Sequence, residues 1–140
     1  MDDRKIELLE TTFAEVRASQ DAAAALFYER LFVNDPSLRR LFNTSDMAAQ
    51  GRKLMAALAL AVHSLRKLDA LVPVLEGLAV KHVGYGVEPA HYDTVGTALI
   101  ETLSLSFGER FTAEVRAAWT ETYQLVAGVM MRAAYGQAAA

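Results

Sequence analysis

The chain has 140 residues, a net charge of -3 and no cysteine, and 53% of its residues are hydrophobic. A single domain of this length buries roughly two thirds of the surface that its unfolded form exposes. The acidic balance and the scattered basic residues argue against a nucleic-acid or anionic-membrane partner. Without cysteine, any metal must be held by His, carboxylate, Tyr or Met.

The longest apolar run, residues 54–62, is too short to span a bilayer. The N-terminus has no apolar signal core. We therefore expect a cytoplasmic protein.

Apolar residues recur at helical spacing along the whole chain, and no segment alternates as a strand would. The pattern predicts an all-α fold of six or seven helices. The first helix carries Ile6, Leu9, Phe13 and Val16. The second, around residues 26–32, is apolar over most of its circumference, which predicts a central position. Asp35-Pro36 has the N-cap and first-turn signature of a short helix ending at Phe42, and residues 43–46 form a connector.

The second half continues the same period. The next two helices are predicted from apolar stripes, with Pro73 limiting how early the second begins its regular turns. Glu88-Pro89 opens a further helix, and Thr112 caps the last one. We expect one domain over residues 1–132 and a frayed or disordered tail over 133–140. The stripes of these four helices are, in order, Leu54, Leu58, Val62 and Leu65; Leu71, Leu75, Leu78 and His82; Tyr92, Val95, Leu99, Leu103 and Phe107; and Val115, Trp119, Tyr123, Val126 and Met130.

Three polar residues, Tyr28, Gln50 and His82, interrupt apolar helix faces. Each has an ordinary explanation when taken alone. A lone histidine on an apolar stripe is more often a hydrogen-bonded core residue than a metal ligand. Tyr28 fits an amphipathic core residue whose hydroxyl reaches a backbone carbonyl, and Gln50, near a helix start, fits a solvent-facing residue.

Taken together and in order, the motifs of the chain resemble the globin family. The likeness is to the single-domain bacterial haemoglobins and to the haem module of the flavohaemoglobins, and it runs over nearly the whole chain. It implies a three-on-three helical sandwich around one haem. The matching segments are Leu26-Phe27-Tyr28, Asp35-Pro36 to Leu41-Phe42, Gln50-Gly51-Arg52-Lys53-Leu54-Met55, Lys81-His82, His91-Tyr92 with Val95-Gly96, and Ala118-Trp119 with Tyr123.

The resemblance implies a non-covalent haem, protoporphyrin IX iron, whose proximal ligand is His82. Phe42 would pack on the porphyrin and Leu54 would overhang the sixth coordination position, with Met55 and Leu58 in the apolar wall. Tyr28 and Gln50 match the distal polar pair of the family, which donates hydrogen bonds to bound oxygen. Tyr92 and Val95 complete the implied cofactor-binding set.

The chain departs from the flavohaemoglobin pattern at two points. Tyr92 matches a residue that helps to position the proximal histidine beside a glutamate on the last helix, but the position matching that glutamate is Ala134. A strong electronic push through His82 is therefore not expected. No dinucleotide-binding G-x-G-x-x-G motif is present, so turnover would need a reductase in trans. We expect His63 at the surface and His91 as a solvated residue at a helix start.

These features predict a protein that reversibly binds O2, and also CO and NO, for oxygen binding, storage or delivery. The alternative is a nitric oxide dioxygenase that forms nitrate with the help of a separate reductase; weak peroxidase activity is a further option. A haem-based sensor would need an output domain, for which the chain has no room. The remaining alternative is a helical interaction module without haem. The oligomeric state stays open.

Overall fold

A computed structural model describes residues 2–42 and 46–136 of the chain. These residues form six α-helices and two 3-10 helices and contain no strand, which confirms the all-α prediction. None of the described helices is long and apolar enough to cross a membrane. The helices are α1 (Asp3–Ala18), α2 (Gln20–Asn34), a 3-10 helix (Pro36–Phe42), α3 (Met47–His63), α4 (Leu68–Gly84), α5 (Pro89–Phe107), a 3-10 helix (Gly108–Arg110) and α6 (Ala113–Tyr135).

Short polar side chains begin several helices by accepting hydrogen bonds from backbone N–H groups that have no partner within the helix. The Asp2 carboxylate accepts from the Lys5 N–H at 2.8 Å. The Asp46 carboxylate caps α3 in the same way. Thr112 accepts from the Val115 N–H at 3.2 Å, so the predicted start of the last helix is confirmed.

The helix ends differ from the prediction at three places. α3 ends at His63, and Leu65 is buried in the turn that follows. α4 begins at Leu68 and continues through Pro73, earlier than the proline suggested. α6 continues past residue 132 to Tyr135, whose hydroxyl donates to the Val87 carbonyl at 2.7 Å. Most of the predicted connector (residues 43–45) and the end of the predicted tail (residues 137–140) lie outside the described residues.

The core is divided into two hydrophobic clusters. The larger one joins α1, α2, α3, α5 and α6 around side chains such as Phe13 and Trp119. The smaller one joins α4 to the start of α5 and the second half of α6, through Leu71, Leu75 and Met130. α3 packs mainly against α2 and α1, whereas α4 packs mainly against α6. The two clusters therefore leave space between α3 and α4, and the candidate site lies there.

Candidate functional site

An apolar cavity of about 120 Å³ lies where the two clusters meet. We call it the inner cavity; its walls include Leu54 and Leu58 of α3, His82 of α4, Val95 of α5, and Trp119 and Tyr123 of α6. Three of the predicted cofactor-binding residues, Leu54, His82 and Val95, thus meet in one place. Met55 does not join them, because it is buried in the larger cluster.

His82 is half-buried in the last turn of α4 and is held by its own helix. Its Nδ1 lies 2.7 Å from the carbonyl oxygen of Leu78. A carbonyl oxygen can only accept a hydrogen bond, so Nδ1 must carry the proton and donate it. In the neutral ring Nε2 then keeps its lone pair, which is the form of imidazole that coordinates a metal.

Tyr28 and Gln50 come together across the contact between α2 and α3. The Tyr28 hydroxyl donates to the backbone carbonyl of Gln50 at 3.3 Å, so the contact involves the main chain of Gln50. The Tyr28 ring also packs edge-on against Phe42, with the ring centroids 5.5 Å apart. Burial raises the pKa of Tyr28 to about 12, which keeps the hydroxyl protonated at neutral pH. These contacts join Tyr28, Phe42 and Gln50 in one group, and none of the three lines the inner cavity.

Tyr92 is buried in the smaller cluster, where its ring meets Tyr135 edge-on with centroids 6.5 Å apart. Its backbone carbonyl accepts a hydrogen bond from the Tyr123 hydroxyl at 2.6 Å. Its own hydroxyl is buried and has no hydrogen-bond partner among the described residues. Ala134, the position matched to the flavohaemoglobin glutamate, is partly buried in the same cluster and supplies no carboxylate.

The two other histidines lie away from the inner cavity. His63 is exposed, as predicted, and its ring meets Phe13 edge-on. The prediction of a solvated His91 is wrong, since this residue is 8% exposed. Its Nδ1 accepts a hydrogen bond from the Glu88 backbone N–H at 3.0 Å, so it completes the start of α5. The helix-start position was correct, but packing around α5 covers the ring.

Several residues that line the cavity belong to the predicted apolar helix stripes but not to the predicted site. Leu75, Leu78, Trp119, Tyr123, Val126 and Met130 all line the inner cavity. Their spacing showed that each faces the interior of the protein. It could not show which interior positions border a cavity, because that depends on how α4 and α6 sit against α3.

The fold and the site define a class of all-α protein with one histidine facing an apolar cavity. The family model described as Globin matches residues 25–130, and the chain belongs to the globin family. Flavohemoprotein from Vibrio cholerae is 31% identical over 128 residues, which are 90% of this chain and 32% of that protein. Flavohemoprotein from Bacillus subtilis is 26% identical over 129 residues, covering 91% of this chain and 32% of its own length. The chain therefore spans about a third of these relatives.

A solved bacterial globin from Campylobacter jejuni superposes with a TM-score of 0.85. The superposition covers 99% of this chain and 100% of the other, at 18% sequence identity. At that identity the likeness is one of fold. It confirms the predicted globin fold.

Proposed function

We propose that the protein binds haem through His82 and reversibly binds O2 at the haem iron. The observation that carries the proposal is the hydrogen bond from His82 Nδ1 to the Leu78 carbonyl, at the edge of the inner cavity. It orients the ring and leaves Nε2 to coordinate iron. Haem fits this arrangement because it needs one ligand from the protein, which His82 would supply. When bound, the haem would provide the reversible coordination of a diatomic gas.

The chemistry of the cavity walls fits this group. Leucine, valine and aromatic side chains from α3, α5 and α6 line the inner cavity, and they suit the apolar faces of a porphyrin. At about 120 Å³ the cavity is smaller than a porphyrin. Because α3 and α4 pack mainly against different helices, haem would enter by moving them apart without breaking a large shared interface.

Tyr28 is the residue we propose as the main hydrogen-bond donor to bound O2. Its hydroxyl is protonated, since burial raises its pKa to about 12. Its present hydrogen bond to the Gln50 carbonyl is long, at 3.3 Å, and therefore weak. Little free energy is lost when the hydroxyl rotates toward another acceptor. A hydrogen bond to the partly charged oxygen of bound O2 contributes roughly 1.5–3 kcal/mol. Bound CO carries less charge, so the same hydrogen bond stabilises it less. Gln50 is proposed as the second member of this distal pair.

Oxygen binding for storage or delivery is the role that these residues favour. Ala134 brings no carboxylate to the proximal side, and the Tyr92 hydroxyl has no partner among the described residues that would tie it into a proximal network. His82 would therefore anchor the iron without a strong electronic push. Storage and delivery need no such push.

Nitric oxide dioxygenation is the second candidate, and the two flavohemoprotein relatives favour it. In this reaction O2, NO and one electron combine to give one nitrate ion. The electron would come from a reductase supplied separately. The same residues, His82, Tyr28 and Gln50, would serve both functions.

An absorption spectrum tests the haem proposal, and rapid mixing separates the two candidate functions. Protein reconstituted with haem should show a Soret band that shifts when CO or O2 binds. A reconstituted sample without a Soret band would leave a helical interaction module as the remaining interpretation. Mixing the O2-loaded protein with NO should give one nitrate per haem, and continued nitrate production with a reductase and NADH would establish the enzyme. Oxidation that stops after one equivalent would support the storage role.

A further inference from the structure

A second cavity of about 450 Å³ opens to solvent between α5 and α6. We call it the outer groove; its walls include Asp93 and Thr97 of α5 and Thr120 and Gln124 of α6. It is open to solvent, and polar side chains make up a larger share of its walls than of those of the inner cavity. The proposed function assigns no role to this groove.

Tyr123 lines both the outer groove and the inner cavity. It is half-buried on α6, and His82 lies among the other residues around the inner cavity. The Tyr123 ring therefore stands between a space that is open to solvent and the apolar space where His82 lies. Movement of this side chain would join the two.

Gly96 provides the room that the ring of Tyr123 occupies. A Cβ added at Gly96 would lie 2.7 Å from Cε2 of Tyr123, closer than real side chains approach. The ring thus fills space that a side chain on α5 would otherwise take. Any larger residue at this position would force the ring to move.

One hydrogen bond holds the ring in place. The Tyr123 hydroxyl donates to the backbone carbonyl of Tyr92 at 2.6 Å, across the contact between α6 and α5. Burial raises the pKa of Tyr123, so the hydroxyl stays a donor at physiological pH. Rotation of the ring breaks this single hydrogen bond.

We propose that Tyr123 controls the passage of small apolar ligands between the outer groove and the inner cavity. The ligand class is that of diatomic gases, an assignment that rests on the proposed function. Ions and large polar molecules can enter the groove but are poorly solvated by the apolar walls of the inner cavity. O2, CO and NO carry no such penalty, so passage past the ring into the inner cavity favours small apolar molecules.

The haem-free protein offers a direct test, because Trp119 is the single tryptophan. Trp119 is 2% exposed and lines the inner cavity, so quenching of its fluorescence by dissolved O2 reports access to that cavity. Tyr123→Ala should raise the quenching rate constant several-fold. The matched control is Tyr135→Ala, because Tyr135 also lies on α6 and also donates to a backbone carbonyl, but lines neither cavity. Equal quenching constants in the two variants would overturn the proposal.

A milder variant keeps the ring and removes only its hydrogen bond. In Tyr123→Phe the ring should open about fivefold more often, which is the effect of losing one ordinary hydrogen bond. The quenching constant should rise accordingly, and Tyr135→Phe should leave it unchanged. This variant decides the question if Tyr123→Ala does not fold. An unchanged constant in Tyr123→Phe would then count against the proposal.

Blocking the groove tests the route itself. The native chain has no cysteine, so Thr97→Cys creates a single labelling site in the outer groove. Ser106→Cys is the control, because Ser106 is exposed on α5 and lines neither cavity. In the haem-loaded protein, a bulky maleimide at position 97 should slow CO association after photolysis several-fold relative to the same label at position 106. Equal rates would mean that gas does not enter through the outer groove, and the proposal would fail. Failure to bind haem would instead refute the proposed function, and the Trp119 measurement would still decide the role of Tyr123.

Discussion

Gly51 on α3 passes Ala24 on α2 so closely that a Cβ at Gly51 would lie 2.9 Å from the Ala24 Cβ. Neither atom could move away without shifting a helix backbone, so only glycine allows this crossing. The neighbouring residue is Gln50, whose carbonyl accepts the Tyr28 hydroxyl. The crossing therefore sets the distance between the two members of the proposed distal pair.

Gly51→Ala should destabilise the protein by about 1–3 kcal/mol, as overpacking in a core does. The control is Gly77→Ala on α4, where a new Cβ meets no atom within 4 Å. That substitution should stabilise the protein by up to about 1 kcal/mol, because alanine favours helix over glycine. Urea unfolding of the haem-free proteins measures both changes. A Gly51→Ala variant as stable as Gly77→Ala would show that the crossing tolerates a side chain.

His82→Ala should lose haem or hold it loosely, because the proposed bond from Nε2 to iron is removed. Added imidazole should restore part of the Soret band by occupying the space left by the side chain. His63→Ala is the matched control, since His63 is exposed on α3 and should retain haem fully. Transfer of haem to apomyoglobin measures retention. Unchanged haem retention in His82→Ala would refute the assignment of His82 as the iron ligand.

Tyr28→Phe should raise the O2 dissociation rate by about tenfold to a hundredfold, which corresponds to the loss of one hydrogen bond to a partly charged acceptor. The CO dissociation rate should change little. Stopped-flow replacement of each gas measures the two rates, with Tyr135→Phe as a control that removes a hydroxyl far from Tyr28. Equal effects on the O2 and CO dissociation rates would indicate that Tyr28 has a steric role and does not act as a hydrogen-bond donor.

Alkaline pH should lower the free energy of unfolding over a pH range that the Tyr28 pKa defines. The pKa of Tyr28 is about 12 in the folded protein, above its ordinary value of 10.0. Above pH 10 the unfolded chain releases this proton while the folded chain keeps it, so the free energy of unfolding falls as the pH rises from 10 toward 12. Urea unfolding across that range measures the slope, which should be shallower in Tyr28→Phe. An identical slope in the variant would contradict the burial of this hydroxyl.

The helices could be predicted because their signals are local. Thr112 caps α6 through a neighbour three residues away, and the stripe from Val115 to Met130 faces inward as its spacing requires. His91 shows the limit of such reasoning: its position at a helix start is local, but its burial depends on the packing of other helices around α5.

The sequence could indicate which residue types belong to the site. It could not indicate how those residues are arranged in space. His82 lies on the cavity wall, as its stripe suggested. Tyr28 and Gln50 are 22 residues apart, and their contact depends on the crossing of α2 and α3. The role of Tyr123 in separating two cavities depends on the absence of a side chain at Gly96, on another helix. No periodicity within α6 could indicate it.

The division of the core places α4 in the smaller cluster, whereas α1, α2 and α3 belong to the larger one. Because α4 packs mainly against α6, through the smaller cluster, we expect it to open locally while the larger cluster stays intact. Its backbone amides should exchange with deuterium well before those of α1 and α6 in the haem-free protein. Release of a bound haem would then depend on the opening of α4 and would not require the larger cluster to unfold.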